Sequence, residues 1–320
     1  MPSQENVHRP VKVAIVGAGF VGATFAYALL QSGLASEIVL IDANHAKAEG
    51  EAMDLNHAVP LAKPARVWAG DYPDCAGAAV TVITAGSNQR PGETRLDLAA
   101  RNAAIFRSIV PQVATNNPNG LILVASNPVD ILTYAAWKIS GLPKERVIGS
   151  GTILDTARFR YLLSQYFQVD ARSVHAYIIG EHGDSEVPVW SLANIAGMRL
   201  PVYCAQNGMT CTGSDLEDLF NQTRDAAYQI IKLKGATYYA IGSGLLRIVE
   251  AILRDQSTVL SVSSLIEDYY DIQNVFLSLP CIVDRGGVER VLRLELSPDE
   301  ILGLRNSANV LKKMTQDLGF

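Results

Sequence analysis

Short apolar segments rich in β-branched residues alternate with helical patterns through the first half of this chain. Four of these segments read as buried strands, at residues 11–16, 37–41, 79–84 and 121–125. Each is followed by a stretch in which apolar residues recur at helical spacing. Parallel neighbours in a sheet need a crossover connection, and a helix is the usual crossover. The alternation therefore predicts an α/β fold with a doubly wound parallel sheet, the Rossmann arrangement.

The pattern changes after about Gly151. We predict long helical stretches around 154–167 and 215–250, strands near 275–283 and 291–296, and a final helix from the cap-like Ser297-Pro298-Asp299-Glu300. The 320 residues are therefore expected to form two domains, a nucleotide-binding domain over 1–150 and a C-terminal α+β substrate domain over 151–320. No Gly/Ser-rich linker marks the boundary, so we expect the two halves to pack closely.

The composition argues against several classes of function. Hydrophobic residues make up 48% of the chain and charged residues 18%, which is typical of globular proteins. No apolar run reaches the ~18 residues of a membrane-spanning helix, and the polar amino terminus lacks a secretory pattern. The net charge of -5 and the lack of long basic blocks argue against nucleic acid as a partner. We expect a cytoplasmic protein whose partners are small molecules or copies of itself.

The cysteines are few and scattered. Cys75, Cys204, Cys211 and Cys281 include no CxxC pair. This spacing argues against both a disulfide framework and a zinc site. We therefore expect reduced thiols and no bound metal.

A glycine-rich turn follows the first predicted strand. Gly17-Ala18-Gly19-Phe20-Val21-Gly22 comes directly after VKVAIV and opens the first helix. Glycines at this spacing permit a tight turn, let the backbone approach a pyrophosphate, and let the helix pack closely on the strand. The phosphates would be held at the helix amino terminus. The motif by itself also fits a turn made only for packing.

Asp42 makes the glycine pattern more specific. It ends the second predicted strand, twenty residues beyond Gly22. A carboxylate there can accept both ribose hydroxyls of NAD, and it would repel the 2′-phosphate of NADP. Further residues that follow strands lie at the carboxyl edge of the sheet, where open parallel sheets bind ligands. The predicted NAD-binding residues are Gly17, Gly19, Val21, Gly22, Asp42, Gly86, Ser126 and Asn127.

Three further segments concentrate polar side chains: NQRPGETR at 88–95, DTAR at 155–158 and GEHGD at 180–184. Together with SNPVD at 126–130, IGSG at 148–151 and KGAT at 234–237, they resemble the L-lactate/malate dehydrogenase family. The resemblance extends over essentially the whole chain. It implies hydride transfer between NAD and the second carbon of a small acid.

The resemblance makes His182 the acid/base residue. Its imidazolium would donate a proton to the carbonyl oxygen of pyruvate, and the neutral ring would take the proton from lactate. Asp155 matches the family's partner carboxylate, which orients the ring and stabilises its charge. Taken alone, a histidine beside glycines also fits a turn residue with satisfied hydrogen bonds.

Two arginines match the family's substrate-binding positions. Arg158 lies three residues after Asp155 on one face of a predicted helix. It matches the residue that holds the substrate carboxylate by a two-pronged guanidinium bond, and the alternative is a helix-surface ion pair with Asp155. Arg95 matches a mobile-loop arginine that polarises the reacting carbonyl on closure, and the alternative is an ordinary solvated arginine.

Asn127 and Thr237 match further substrate contacts of the family. Asn127 would hydrogen-bond the reacting oxygen, and Thr237 would contact the substrate. The Asn127-Pro128 pair alone also fits a simple strand-ending turn.

The choice of acid depends on Gln89. Family members that use malate carry arginine at this position, because a second carboxylate in a closed pocket needs a cationic partner. Gln89 therefore favours pyruvate and lactate, with malate dehydrogenase as the alternative. Arg90 would reverse this preference if the loop register shifted, although neighbouring residues on an extended loop tend to point apart. A nucleotide-binding protein without catalysis is a remote alternative, against which the complete polar set argues.

Arg160 and His175 match the basic effector-site pair of the family's allosteric bacterial members. The match implies a homotetramer activated by fructose 1,6-bisphosphate. Arg160 lies two residues after Arg158, roughly 200° around the helix, so it cannot serve the same pocket. The alternative is a surface arginine paired with a nearby carboxylate and a strand histidine without a special role.

Overall fold

The computed structural model describes residues 11–87 and 92–320. Its strands are β1 (Lys12–Val16), β2 (Glu37–Ile41), β3 (Arg66–Ala69), β4 (Val80–Ile83), β5 (Leu121–Val124), β6 (Val147–Gly149), β7 (Val174–His175), β8 (Ile178–Ile179), β9 (Val187–Pro188), β10 (Asn194–Ile195), β11 (Met198–Arg199), β12 (Thr258–Ile266), β13 (Val275–Asp284) and β14 (Gly287–Val291). Its α-helices are α1 (Phe20–Ser32), α2 (His45–Ala58), α3 (Arg95–Asn116), α4 (Val129–Ser140), α5 (Ile153–Phe167), α6 (Leu200–Gln206), α7 (Gly213–Lys234), α8 (Tyr239–Leu253) and α9 (Pro298–Asp317).

In the described part of the chain, the main sheet has nine strands in the order β14-β13-β12-β6-β5-β4-β1-β2-β3. The run from β6 to β3 is parallel. Strands β12, β13 and β14 extend it with antiparallel pairing through the contact of Ser263 with Gly149. The strand order reverses between β1 and β4, so a ligand crevice opens at the carboxyl ends of these two strands. This architecture confirms the predicted doubly wound sheet with a C-terminal α/β part.

Helices cover both faces of the parallel strands. On one face α1, α2 and α8 bury apolar residues such as Phe25, Leu55 and Ile248. On the other face α3 and α4 bury Phe106 and Leu132. Strands covered on both faces need side chains that are apolar throughout, which explains why these segments read as continuous apolar runs.

The strand predictions for the first half are confirmed to within one residue at each end. The predicted segments 11–16, 37–41, 79–84 and 121–125 correspond to β1, β2, β4 and β5. The domain boundary near residue 150 stays a prediction. Gly149 ends β6, the last parallel strand, and β12 from the second half pairs with it.

The predicted helical stretch 215–250 is interrupted. Helix α7 ends at Gly235, which adopts a left-handed φ of 85°, and α8 begins at Tyr239. Glycine reaches this conformation without steric cost, so it ends the helix. The interruption places Thr237 in a short irregular segment between two helices.

The predicted strand 291–296 is wrong. The strand is β14, and it ends at Val291. Beyond it the backbone pairs with tyrosine hydroxyls: Leu294 N donates to Tyr269 Oη at 2.9 Å, and Tyr270 Oη donates to Leu294 O at 2.7 Å. Leu292 N still donates to Pro280 O of β13 at 2.9 Å, but at Leu294 side chains take the place of a neighbouring strand. The nine-residue β12 was not predicted.

The expectation of four reduced cysteines is wrong for two of them. Cys204 at the end of α6 and Cys211 before α7 form a disulfide with a Cα–Cα distance of 6.2 Å. The turn between the two helices brings these residues together, although their spacing in the sequence does not predict the pair. Cys75 and Cys281 are buried free thiols. Burial raises the pKa of Cys75 to about 11 and that of Cys281 to about 12, so both stay protonated and unreactive. Among the described residues, no helix is long and apolar enough to cross a bilayer.

Candidate active site

The glycine turn lies at the carboxyl end of β1 and leads into α1. Gly17 adopts a φ of 108°, which suits glycine, and its N–H donates to Ile41 O at 2.7 Å. A Cβ on Gly22 would lie 1.9 Å from Gly17 O, so only glycine allows the helix to start this close to the strand. A Cβ on Gly19 would meet nothing within 4 Å, and this residue caps α1 without a side-chain hydrogen bond. The helix amino terminus is therefore open to an anion, which fits a pyrophosphate.

Asp42 is held at the end of β2 beside this turn. Its Oδ2 accepts Ala18 N at 2.7 Å and its Oδ1 accepts Asn44 N at 2.8 Å. Each carboxylate oxygen has room for a further hydrogen bond. These bonds fix the carboxylate where ribose hydroxyls can donate to it, so the residues fit NAD.

The carboxyl ends of β4 and β5 complete the crevice. Thr84 Oγ1 donates to Gly17 O at 2.8 Å, and Ser126 Oγ donates to Ala85 O at 2.6 Å. Buried Asn102 on α3 joins these ends: its amide accepts Ser87 N at 2.9 Å and donates to Asn127 O at 2.7 Å. Asn102 escaped the sequence analysis, and its one signal is a polar residue on an otherwise apolar helix face.

His182 and Asp155 form the centre of the site. His182 lies in the turn between β8 and β9, and Asp155 lies in the first turn of α5. The His182 Nδ1 and Asp155 Oδ2 atoms are 2.5 Å apart, the Asp155 side chain is 3% exposed, and the His182 side chain is 24% exposed. The carboxylate is therefore inaccessible, whereas the far side of the ring is open to a ligand.

The protonation of this pair is set by opposing effects. Burial disfavours the charged imidazole, but attraction to Asp155 and the hydrogen bond between them outweigh it and raise the pKa of His182 to about 9. Burial likewise disfavours ionised Asp155, but the nearby His182 and Arg158 keep its pKa below the usual value. At neutral pH the pair is therefore an imidazolium beside a carboxylate.

Arg158 shares the same carboxylate. Its Nη1 donates to Asp155 Oδ1 at 2.9 Å, and its side chain is 12% exposed. The ion pair considered from sequence is thus present, but it is buried within the site and not on the helix surface. Because only one guanidinium nitrogen is used in this bond, other N–H groups can bind a substrate carboxylate.

Asp130 is a second carboxylate that the sequence analysis missed. It lies in the first turn of α4, is 2% exposed, and its Oδ2 accepts the backbone N–H of His182 at 2.8 Å. Burial raises its pKa to about 6. Asp130 anchors the histidine turn to the nucleotide-binding half. The sequence feature that could have pointed to Asp130 is the presence of a charged residue in the first turn of the apolar helix VDILTYAAW.

Arg95 is the first residue of α3 and reaches toward the histidine turn. Its Nη1 donates to Asp184 Oδ2 at 2.9 Å, and its Nη2 lies 3.2 Å from Oε1 of buried Glu181. Tyr228 on α7 donates to the other Asp184 oxygen at 3.0 Å. Arg95 is therefore close to His182 in the chain fold and is not an isolated solvated arginine.

Two of the remaining predicted substrate residues, Asn127 and Thr237, are exposed or partly exposed. Asn127 is exposed at the end of β5 and precedes Pro128 through a cis peptide bond. Thr237 is partly buried between α7 and α8. Gln89 and Arg90 lie outside the described residues, so the structure does not describe their geometry.

Arg160 and His175 lie away from the pocket. Arg160 Nε donates to Ala176 O at 2.9 Å, and its guanidinium is 5.1 Å from the ring centroid of Tyr177. His175 is exposed at the end of β7 and directly precedes Ala176 in the chain. The bond from Arg160 on α5 to the residue that follows His175 therefore brings the two residues near each other.

The fold and this crevice define a nucleotide-dependent oxidoreductase. A Rossmann sheet presents an open helix amino terminus and a ribose-binding carboxylate, and an imidazolium–carboxylate pair lies beside a buried arginine. Together these groups can support hydride transfer that is coupled to proton transfer on a carboxylate substrate.

Comparison with known proteins specifies the family. Residues 11–149 match the lactate/malate dehydrogenase NAD binding domain, and residues 152–318 match the alpha/beta C-terminal domain of the same family. The chain belongs to the lactate/malate dehydrogenase family, and it is an NAD-dependent oxidoreductase.

Individual relatives agree over nearly the full length. The chain is 54% identical to the L-lactate dehydrogenase of Priestia megaterium, over 97% of this chain and 96% of that one. It is 55% identical to an L-lactate dehydrogenase of a Geobacillus species, over 94% of each chain. Among solved structures, the minor L-lactate dehydrogenase of Enterococcus mundtii superposes with a TM-score of 0.93 at 45% identity, over 96% of this chain and 98% of that one. A lactate dehydrogenase from a deep-sea metagenome library also superposes with a TM-score of 0.93 at 47% identity, over 98% of this chain and all of that one.

Proposed function

We propose that this protein is an L-lactate dehydrogenase, which reduces pyruvate with NADH and oxidises L-lactate with NAD. The observation that carries the proposal is the His182–Asp155–Arg158 cluster, in which one buried carboxylate contacts both a histidine and an arginine. The L-lactate dehydrogenases among the relatives support the same substrate.

Each residue has a distinct task in this proposal. Arg158 holds the substrate carboxylate by two N–H groups and so fixes the orientation of the keto group. His182 donates the proton of its outer ring nitrogen to the carbonyl oxygen, while Asp155 holds the ring and stabilises its charged form. NADH, when bound, supplies the hydride. In the reverse direction neutral His182 accepts the hydroxyl proton of lactate.

Arg95, Asn127 and Thr237 act around the reacting carbonyl. Arg95 would leave Asp184 and Glu181 as the preceding loop closes, and its cation would then polarise the carbonyl oxygen in a site from which water is excluded. Asn127 would donate a hydrogen bond to the same oxygen, and Thr237 would contact the substrate. NAD would contact Gly17, Gly19, Val21, Gly22, Asp42, Gly86, Ser126 and Asn127.

The deciding experiment compares pyruvate with oxaloacetate as oxidants of NADH. We expect kcat/KM to be much higher for pyruvate, because Gln89 offers no positive charge to the second carboxylate of oxaloacetate. A preference for oxaloacetate would replace the proposal with a malate dehydrogenase. Absence of turnover with both acids would leave a nucleotide-binding protein without this catalysis.

Assembly and regulation are further parts of the proposal. We propose a cytoplasmic homotetramer of subunits divided near residue 150, activated by fructose 1,6-bisphosphate at Arg160 and His175. The exposure of His175 and its closeness to Arg160 through Ala176 support a shared anion-binding surface. Arg160 also faces Tyr177, so effector binding would have to re-aim a guanidinium that is already held.

A further inference from the structure

Glu186 is a buried acid beside the site with no task in the reaction described above. It lies four residues after His182, at the end of the same turn, and its backbone N–H donates to Gly183 O at 3.1 Å. It is 7% exposed, and its Oε1 has no hydrogen-bond partner among the described residues. An ionised carboxylate with an unpaired oxygen is costly at this depth, whereas the neutral acid is tolerated.

The charges acting on Glu186 come from three elements. Helix α5 contributes Asp155 and Arg158, the β8–β9 turn contributes His182, and α7 contributes Arg224. Arg224 is 34% exposed and already pairs with Asp225 at 3.3 Å. Burial, followed by repulsion from Asp155, raises the pKa of Glu186 well above that of an ordinary glutamate, and the three cations only partly offset this.

The charge of the central cluster shows what an ionised Glu186 would do. With His182 protonated, His182 and Arg158 carry two positive charges against the single negative charge of Asp155. Asp130, which is ionised at neutral pH and accepts the backbone N–H of His182, balances the second positive charge. The carboxylate of a substrate held by Arg158 then adds one net negative charge to the pocket. An ionised Glu186 would add a further negative charge from within the protein and would repel the incoming substrate.

We propose that Glu186 limits the negative charge of the substrate pocket: it stays the neutral acid while a carboxylate substrate is bound, and its ionised form opposes that binding. The inference rests on the proposed function, because it concerns the binding of a monocarboxylate at Arg158. Glu186 would then set an alkaline limit on substrate affinity that is separate from the titration of His182.

The test is the pH dependence of the KM for pyruvate in Glu186→Gln, from about pH 7 to about pH 10. Two groups must gain or keep a proton for the wild-type protein to bind pyruvate, so the logarithm of KM should rise with a slope that exceeds one at the alkaline end of this range. In Glu186→Gln only His182 titrates, so the slope should not exceed about one. Asp130, with a pKa of about 6, has already ionised below this range.

Glu300→Gln is the matched control. Glu300 is also a buried glutamate, 6% exposed, but it binds Ser191 and caps α9 away from the cluster. Glutamine retains the capping hydrogen bond, so this variant should keep the wild-type slope. Equal slopes in wild type and Glu186→Gln would overturn the role of Glu186.

A second measurement needs no variant. Calorimetry of oxamate binding to the wild-type complex with NADH, in two buffers of different ionisation enthalpy at about pH 10, counts the protons taken up. We expect clearly more than one proton, because His182 alone can accept only one, and one or fewer would contradict the proposal. Wild-type turnover of pyruvate at about pH 7 tests the proposed function separately. Turnover with equal slopes overturns only the role of Glu186, whereas failure of pyruvate to react overturns both.

Discussion

At the scale of single residues, one buried carboxylate organises the chemistry. Asp155 accepts a hydrogen bond from Arg158 and pairs with His182, so it holds together the two residues proposed to bind the substrate carboxylate and to donate the proton. Because both partners are cations at neutral pH, the carboxylate stays ionised in spite of its burial. The arrangement separates the tasks of binding and proton transfer between two neighbouring side chains.

Replacing the acid/base residue tests its task directly. We expect His182→Asn to bind NADH normally and to lose turnover by about 10²- to 10⁴-fold, the usual contribution of a positioned proton donor. Steady-state kinetics and NADH fluorescence titration measure the two effects independently. Turnover close to that of the wild type would remove His182 from this task.

The direction of the pH dependence follows from the raised pKa of His182. Pyruvate reduction needs the imidazolium, so its kcat/KM should fall as the pH rises through about 9, whereas lactate oxidation should rise. Asp155→Asn removes the charge that favours the imidazolium, so the fall in pyruvate reduction should move to lower pH. A profile unchanged by Asp155→Asn would contradict the pairing of the two residues.

The proposed substrate specificity depends on Gln89, a residue outside the described part of the chain. Gln89→Arg should shift the ratio of kcat/KM toward oxaloacetate, because it supplies the cation that the second carboxylate requires. The comparison variant is Arg90→Ala. If Arg90→Ala alone abolishes discrimination and Gln89→Arg changes nothing, the loop register assumed here is wrong.

At the scale of elements, the tight turn at the start of α1 is needed both for the packing of the helix on β1 and for the proposed cofactor site. We expect Gly22→Ala to weaken NADH binding strongly, because the added Cβ would meet Gly17 O at 1.9 Å and displace the turn from the phosphates. Gly50→Ala in α2 is the control, since its Cβ meets nothing within 4 Å. That change should leave NADH binding intact and stabilise the protein by about 0.5–1 kcal/mol, as measured by urea unfolding. Equal NADH affinity in Gly22→Ala and the wild type would show that the turn tolerates the Cβ.

At the scale of the whole molecule, the proposed regulation would require more than one chain. We expect fructose 1,6-bisphosphate to lower the apparent KM for pyruvate and to increase the tetramer fraction, because an effector that prefers the active assembly shifts the population toward it. Titration at subsaturating pyruvate with parallel sedimentation measures both quantities. Arg160→Gln should abolish the response, and a wild-type protein that does not respond would refute the allosteric proposal without affecting the dehydrogenase assignment.

Local sequence pattern was sufficient to predict the parallel sheet. Strands buried on both faces must be apolar throughout, so β1, β2, β4 and β5 were recognisable from local pattern. Motif spacing likewise predicted Gly17 and Asp42 as cofactor residues, because the turn that holds them is a local structure, whereas Asp155 and His182 were predicted from the family resemblance.

Tertiary structure alone decided the contacts between distant segments. The segment 291–296 has a strand pattern, yet its backbone pairs with Tyr269 and Tyr270, which no local rule predicts. The Cys204–Cys211 disulfide depends on the turn between α6 and α7. The burial of Asp130 depends on packing between the two halves of the chain, and that of Glu186 on packing of the β8–β9 turn near α5 and α7, and this burial changes their acidity. The periodicity of apolar side chains in the sequence indicates which face of a helix or strand is buried. It does not indicate which other segments of the chain cover that face, because those segments come together only in the folded protein.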